Sequence, residues 1–299
     1  MQQSFDERNR DLIIHVGGEL LHRDQAKVSV FDSLVQGGDG CWEGLRLYDG
    51  RIFKLDEHLE RLRHSALSLA FDHIPDPDSI KQHIRATLEA NGMRDGVHIR
   101  LTLSRGTKVT SGMDPRLNQA GSTLIVLAEY KPPVYDKAGL NLASSSLRRF
   151  TSDTLDPKIH SNNLLQSILA KIEANAAGAD DALMLDTRGF VAETNATHVF
   201  RVADGVVETS RTVACPEGVT RATVLEICAA EGIPCQVRDL SQVELYRADE
   251  VFCTGTMGEL AAVTRIDGRS IGKGQPGPMT ARLTQCYRLR TDSEGDAIV

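Results

Sequence analysis

The sequence predicts a mixed α/β fold in two domains. Three observations carry that expectation. Strands and amphipathic helices interleave over residues 1–130, a Pro-Pro break follows, and strand and helix patterns alternate again to the end. The expected division is a small N-terminal α/β domain over 1–130, a linker over 131–140 carrying Lys131-Pro132-Pro133, and a larger domain over 141–299.

The elements follow in order. Leu12–Val16 and Glu19–Leu21 flank a Gly-Gly pair, and Trp42–Tyr48 and Arg51–Lys54 flank Asp49-Gly50, so both read as hairpins. Leu59, Leu62, Ala66 and Leu69 form a helical stripe from about Asp56, and Ile80, Ile84 and Leu88 form another between Pro77 and Gly92. Val97, Ile99, Leu101 and Leu103 alternate with His98, Arg100 and Thr102, which predicts a strand with Arg100 off its apolar face. Residues 106–118 read as a long polar loop, and Thr123–Ala128 as a buried strand. Beyond the break come a strand near Leu142 and a helix from about Asn163 with Leu165, Ile168, Leu169, Ile172 and Ala176 on one face. A hairpin across Thr187-Arg188-Gly189, a helix from Gly218, a strand over Val251–Thr254 and a closing helix from about Gly277 complete the chain. The residues after Arg290 read as frayed.

Bulk properties narrow the function classes. The 299 residues are 41% hydrophobic and 25% charged, with net charge −7 and no basic cluster, which argues against nucleic acid and anionic membrane as partners. No apolar run is long enough for a membrane span, and the first residues lack a signal-peptide layout. The six cysteines are scattered without metal-type spacing, so a reduced cytoplasmic setting is expected, with no metal and no disulfide framework. In that setting the Asn195-Ala196-Thr197 sequon is a chance match.

Two stretches suggest chemistry. Lys158 lies in Asp156-Pro157-Lys158-Ile159-His160, and Glu193 in Val191-Ala192-Glu193-Thr194-Asn195. An amine that forms an imine and a carboxylate that keeps a pyridine nitrogen protonated are what pyridoxal phosphate chemistry requires. Either residue alone reads equally as a solvated surface group. Gly218-Val219-Thr220 opens a helix and reads either as an ordinary capped start or as an anion site made of free amides. Gly255-Thr256-Met257, after a buried strand, is either a tight turn or a second set of phosphate donors. Arg61 reads as a solvated helix arginine or a phosphate clamp, Arg46 as a surface cation or a substrate ligand, and His98 as a half-buried strand histidine or part of a site.

Taken together, the stretches Trp42-Glu43-Gly44-Leu45-Arg46, His58 to Leu62, Lys158 with Asn162 to Leu165, Glu193-Thr194-Asn195, Gly218 to Arg221 and Gly255-Thr256 resemble the class IV aminotransferases, of the branched-chain and D-amino acid type. Their order covers nearly the whole chain. The resemblance implies the fold-type IV architecture, with a barrel-like sheet in the larger domain, and a pyridoxal 5'-phosphate cofactor. It implies that Lys158 is catalytic, bonding the cofactor and then moving the proton. It gives Arg61, Glu193, Thr194, Asn195, Val219, Thr220 and Thr256 to cofactor binding. Arg100, His98, Trp42, Arg46 and Met257 go to substrate, with Arg100 on its carboxylate. Pro216 falls near a position where the family often has a leucine on the ring, with one residue of extra spacing.

The implied reaction moves an amino group between an amino acid and a 2-oxo acid by a ping-pong route, in a homodimer whose sites are shared through the 107–116 loop. Burial or a neighbouring cation is expected to help Lys158 lose its charge. Departures bear on the substrate. Tyrosines usual in branched-chain members are replaced where Gly37, His98 and Asn163 stand. Branched-chain-like L-amino acids rank first, D-amino acids or (R)-amines next, and an aminodeoxychorismate lyase after those. Arg105 or Arg116 is an alternative carboxylate partner.

Overall fold

Gly17 and Gly18, with φ of 58° and 101°, make the tight reversal between β1 (Ile13–Val16) and β2 (Glu19–His22), a left-handed backbone that glycine adopts at little cost. The structure is a computed structural model and describes residues 4–133, 135 and 138–299. These divide into two compact units, one of residues 4–132, 159–163 and 291–299, the other of 133–158 and 164–290.

In the first unit a short helix α1 (Ser33–Gly37) precedes β3 (Gly40–Tyr48), β4 (Arg51–Ile52), α2 (Leu55–Ser68), α3 (Pro77–Ala90), β5 (Val97–Ser104) and β6 (Thr123–Tyr130). The strands form an antiparallel sheet in the order β4-β3-β5-β6-β1-β2. Asp76 caps α3 by accepting from the Ser79 amide at 2.9 Å, with Pro77 in its first turn. The predicted stripes of α2 and α3 are buried against Leu45, Val97, Ile99, Leu101 and Leu103. One face of β5 is thus core, and His98, Arg100 and Thr102 line the other, as the alternation requires.

The second unit contains β7 (Leu140–Arg148), α4 (Leu165–Ala176), β8 (Asp181–Leu185), β9 (Val191–Thr194), β10 (His198–Ala203), β11 (Val206–Thr209), α5 (Val219–Ala230), β12 (Cys235–Val237), α6 (Gln242–Tyr246), β13 (Glu250–Gly255), β14 (Glu259–Ile266), β15 (Arg269–Ser270) and α7 (Pro278–Ser293). Its mixed sheet runs β12-β11-β10-β13-β14-β7-β8-β9, with β15 beside β14. The Thr194 amide donates to the Thr197 carbonyl at 2.7 Å, so β9 at one end of the sheet turns directly into β10, bending the sheet into a half-barrel.

The shared apolar face of α4 points away from the sheet: Leu165 is 66% exposed, Ile168 53% and Ile172 56%, while Ala170 and Ala174 pack on β8. A 3.6-residue period marks an apolar face but does not say what covers it. One expectation is corrected: the residues after Arg290 are not frayed. After α7, β16 (Asp296–Ala297) pairs antiparallel with β4, and Ile298 is buried in the first unit's core. Among the described residues no helix is long and apolar enough to cross a membrane, and all six cysteines are free thiols.

Candidate active site

Within the second unit, three sequence-distant segments converge. Gly218 is the N-cap of α5 and gives that helix no side-chain cap, so the first-turn amides of Val219 and Thr220 face outward as donors. A Cβ on Gly218 would lie 2.3 Å from the His198 ring, so only glycine fits this approach. His198 pairs with Thr254, and a Cβ on the next residue, Gly255, would meet the Thr197 methyl at 2.9 Å. Thr197 in turn bonds Thr194 through their hydroxyls at 2.8 Å. The helix start, the β13 end with Thr256 and Met257, and the Glu193-Thr194-Asn195 turn therefore share one end of the half-barrel. Thr194 Oγ1 also accepts from the Ala196 and Thr197 amides, and Asn195 Oδ1 accepts from the Ala182 amide at 2.7 Å, so both side chains brace the turn.

Glu193 is nearly buried, and its Oε1 forms an ion pair with Arg149 Nη2 at 2.5 Å. Burial, then Glu193, pushes the Cys215 thiol up, against the opposing pull of Arg221 and Arg149, and Glu217 adds to the rise. Lys158 lies 3.8 Å from Glu217 through its Nζ, and its backbone amide donates to Asp156 Oδ1 at 3.0 Å in the Asp-Pro turn. Its side chain is 53% exposed beside a carboxylate. The expected burial or neighbouring cation is not what surrounds this amine. Arg221, in the first turn of α5, donates from Nη2 to the Ser210 carbonyl at 2.8 Å, and burial lowers its pKa. The buried atoms Arg221 Nε, Ser210 Oγ and Thr254 Oγ1 have no protein partner.

In the first unit, Trp42, Arg46, His98 and Arg100 share the non-core face of β3 and β5, where Arg46 is paired with His98 across the strands. The Arg100 guanidinium sits 3.7 Å from the centre of the Trp42 ring, and burial brings its pKa down to about 10 while Glu43 pulls the other way. His98 is held neutral, its pKa lowered to about 3 by burial and then by Lys131, Arg100 and Arg46. Its Nε2 and the Nε of Arg46 are buried without partners. Cationic groups with unspent donors around an uncharged histidine are suited to an anion such as a carboxylate. Arg61 is occupied by Glu43, donating from Nε to Oε1 at 2.8 Å and from Nη2 to Oε2 at 2.7 Å. Of the alternative carboxylate partners, Arg105 is bonded to Asp39 and to the Leu69 and Ala70 carbonyls, and Arg116 to Asp114 on the surface.

Three residues escaped sequence reasoning. Arg149 is a polar partner formed at long range with no local pattern to mark it, and Glu43, though inside the Trp42–Arg46 motif, received no role there because its partners are distant. His160 stacks on Trp42 with ring centres 4.3 Å apart and bonds the Trp42 carbonyl at 2.5 Å. Its place two residues after Lys158 is the one signal that could have raised it.

The description "Amino-transferase class IV" matches residues 40–266. The chain is 54% identical over 288 residues to branched-chain-amino-acid aminotransferase-like protein 2 of Arabidopsis thaliana, covering 96% of this chain and 52% of that protein. It therefore spans about half the length of that relative. It is 39% identical to a putative branched-chain-amino-acid aminotransferase of Methanocaldococcus jannaschii, covering 93% and 96% of the two chains. The fold superposes with a TM-score of 0.88 on the branched-chain aminotransferase of Thermoproteus uzoniensis with norvaline, at 29% identity over 95% of this chain and 96% of that one. It superposes equally, with a TM-score of 0.88 at 34% identity over 95% of each chain, on a branched-chain amino acid aminotransferase complexed with N-(5'-phosphopyridoxyl)-L-glutamate. The chain belongs to the class IV aminotransferase family.

Proposed function

We propose that this chain is a pyridoxal 5'-phosphate-dependent transaminase that moves the amino group of a branched-chain L-amino acid to a 2-oxo acid. The observation that carries the reading is the convergence on one end of the half-barrel of Glu193 with Arg149, the uncapped start of α5 and the Gly255-Thr256 turn. The residues present fit the cofactor. The glycine cradle at Gly218 and outward amides suit a phosphate, Thr254 Oγ1 is an unspent donor beside them, and an anionic Glu193 suits a pyridinium nitrogen. When bound, pyridoxal phosphate supplies an aldehyde that captures amines and a ring that accepts electrons.

The chain's own residues do the rest. Val219, Thr220, Thr256 and Arg61 hold the phosphate. Arg149 keeps Glu193 anionic, so Glu193 holds a proton on the ring nitrogen. Lys158 is the amine that would hold the cofactor covalently, and its free amine would move the proton at the substrate's Cα. Arg100, stacked on Trp42, takes the substrate carboxylate, with His98 and the unspent Nε of Arg46 beside it. Ping-pong kinetics follow from the two half-reactions.

A homodimer accounts for the outward apolar face of α4, and the 107–116 loop, with Met113 98% exposed and Val109 60% exposed, is the segment offered to the partner's site. A cytoplasmic setting fits six free thiols. The test is amine donor choice. With 2-oxoglutarate as acceptor, L-leucine is turned over well ahead of D-alanine and (R)-1-phenylethylamine. Turnover of D-alanine or the amine with silence toward L-leucine overturns the substrate assignment. Release of pyruvate from aminodeoxychorismate, with no transamination of any donor, overturns the reaction.

A further inference from the structure

Glu43 has no exposed surface, and three side chains from two other segments point at it. On α2, Arg61 gives it two parallel bonds and His58 Nδ1 approaches Oε2 at 2.6 Å. From the segment after Lys158, His160 Nδ1 reaches within 3.5 Å of Oε1 while bonding the Trp42 carbonyl. That carbonyl and the Glu43 carboxylate accept only, so both imidazoles carry their proton on Nδ1. Burial alone would raise the Glu43 pKa, but Arg61 and then His160 bring it well below the usual carboxylate range. The network is therefore one carboxylate, one guanidinium and two imidazoles, tying β3, α2 and residues 159–163 together.

Resting on the assignment of Arg61 to the cofactor phosphate, we propose that Glu43 is a positioning residue for that phosphate, fixing the plane and direction of the Arg61 guanidinium before the phosphate arrives. The two-bond contact needs an acceptor oxygen opposite both Nε and Nη2, and only a carboxylate supplies two. A glutamine of the same shape would place an amide NH2 against a guanidinium NH at the present 2.7–2.8 Å, donor against donor, so the guanidinium would have to turn away. Glu43 and Arg61 are together neutral, so the contact adds orientation rather than net charge, and orientation is what is lost when Glu43 changes. Trp42, Arg46, His98 and Arg100 lie on the opposite face of the sheet from the Glu43 side chain.

The experiment measures pyridoxal phosphate dissociation by dialysis equilibrium, and the ³¹P shift of the bound cofactor, for Glu43→Gln, Glu43→Asp, Arg61→Met and the Glu43→Gln/Arg61→Met pair. Glu43→Gln is expected to weaken binding about 10-fold or more, the worth of one charge-assisted bond. The ³¹P shift should move, and the amino acid KM at saturating cofactor should stay near wild type. Glu43→Asp restores part of the affinity, and in the Arg61→Met background Glu43→Gln adds nothing further. Wild-type binding by Glu43→Gln beside weakened binding by Arg61→Met overturns the positioning role. Wild-type binding by Arg61→Met instead removes Arg61 from the phosphate site, and the positioning role with it. Should Glu43→Gln not fold, the neutral Glu43→Gln/Arg61→Met pair and Glu43→Asp carry the comparison.

Discussion

Arg149 Nη2 stands 2.5 Å from Oε1 of Glu193, and both side chains are largely removed from solvent. Pairing in a low-dielectric setting favours the ionised carboxylate and opposes the cost of burying it. Arg149→Met removes that cation and leaves a buried carboxylate without its partner. The expected outcome at saturating cofactor is a loss of about 10²-fold in kcat, comparable to removing one pre-placed electrostatic partner. Unchanged kcat would show that Glu193 does not depend on Arg149.

Gly218→Ala places a methyl 2.3 Å from the His198 ring. The α5 start must shift, weakening pyridoxal phosphate binding by about 10-fold, as loss of a charge-assisted bond would. Titration of the apoprotein measures it. The Gly218→Ala/His198→Ala pair, with the ring gone, is expected to recover most of that affinity. A Gly218→Ala variant that binds like wild type would remove the α5 start from the cofactor site.

The outward face of α4 predicts an assembly effect. Ile168→Glu with Ile172→Lys puts charges where exposed apolar side chains now stand. Sedimentation should show a shift from dimer to monomer with helix content retained. A variant that remains dimeric at the same concentration would place the interface elsewhere.

Acid stability follows from His15. Its pKa is lowered to about 4 from 6.5 by burial and then by His83, whose ring centre lies 4.2 Å away. The folded protein takes up this proton less readily than the unfolded chain. The stabilisation is whole above pH 6.5 and is lost as pH falls through that value toward 4. The amount is at most about 3 kcal/mol. Denaturant titrations at a series of pH values measure it, and His15→Leu should flatten the slope across this window. A slope unaffected by His15→Leu would contradict the assignment.

Much of the fold was legible because short-range patterns have short-range causes. The alternation of Val97 to Leu103 is β5, and the stripes of Leu59 to Ala66 and Ile80 to Leu88 are buried helix faces. What was not legible depends on contacts that sequence spacing does not encode. The α4 stripe carries the same 3.6-residue signal whether covered by its own sheet or by another molecule. The pair β16–β4 is two residues long, too short for any period. Within the site, Lys158, Glu193 and Gly218 stand in local contexts that suggested their chemistry. The roles of Glu43, Arg149 and His160 are set by partners 18, 44 and 118 positions away, which their local contexts do not encode.

The central claim is that Lys158 bonds the cofactor. Borohydride reduction of the holoprotein, followed by peptide mass spectrometry, tests it most directly. The account predicts a phosphopyridoxyl adduct on the peptide containing Lys158, and none in Lys158→Ala. An adduct on a different lysine, or bound cofactor that no lysine retains after reduction, would contradict it.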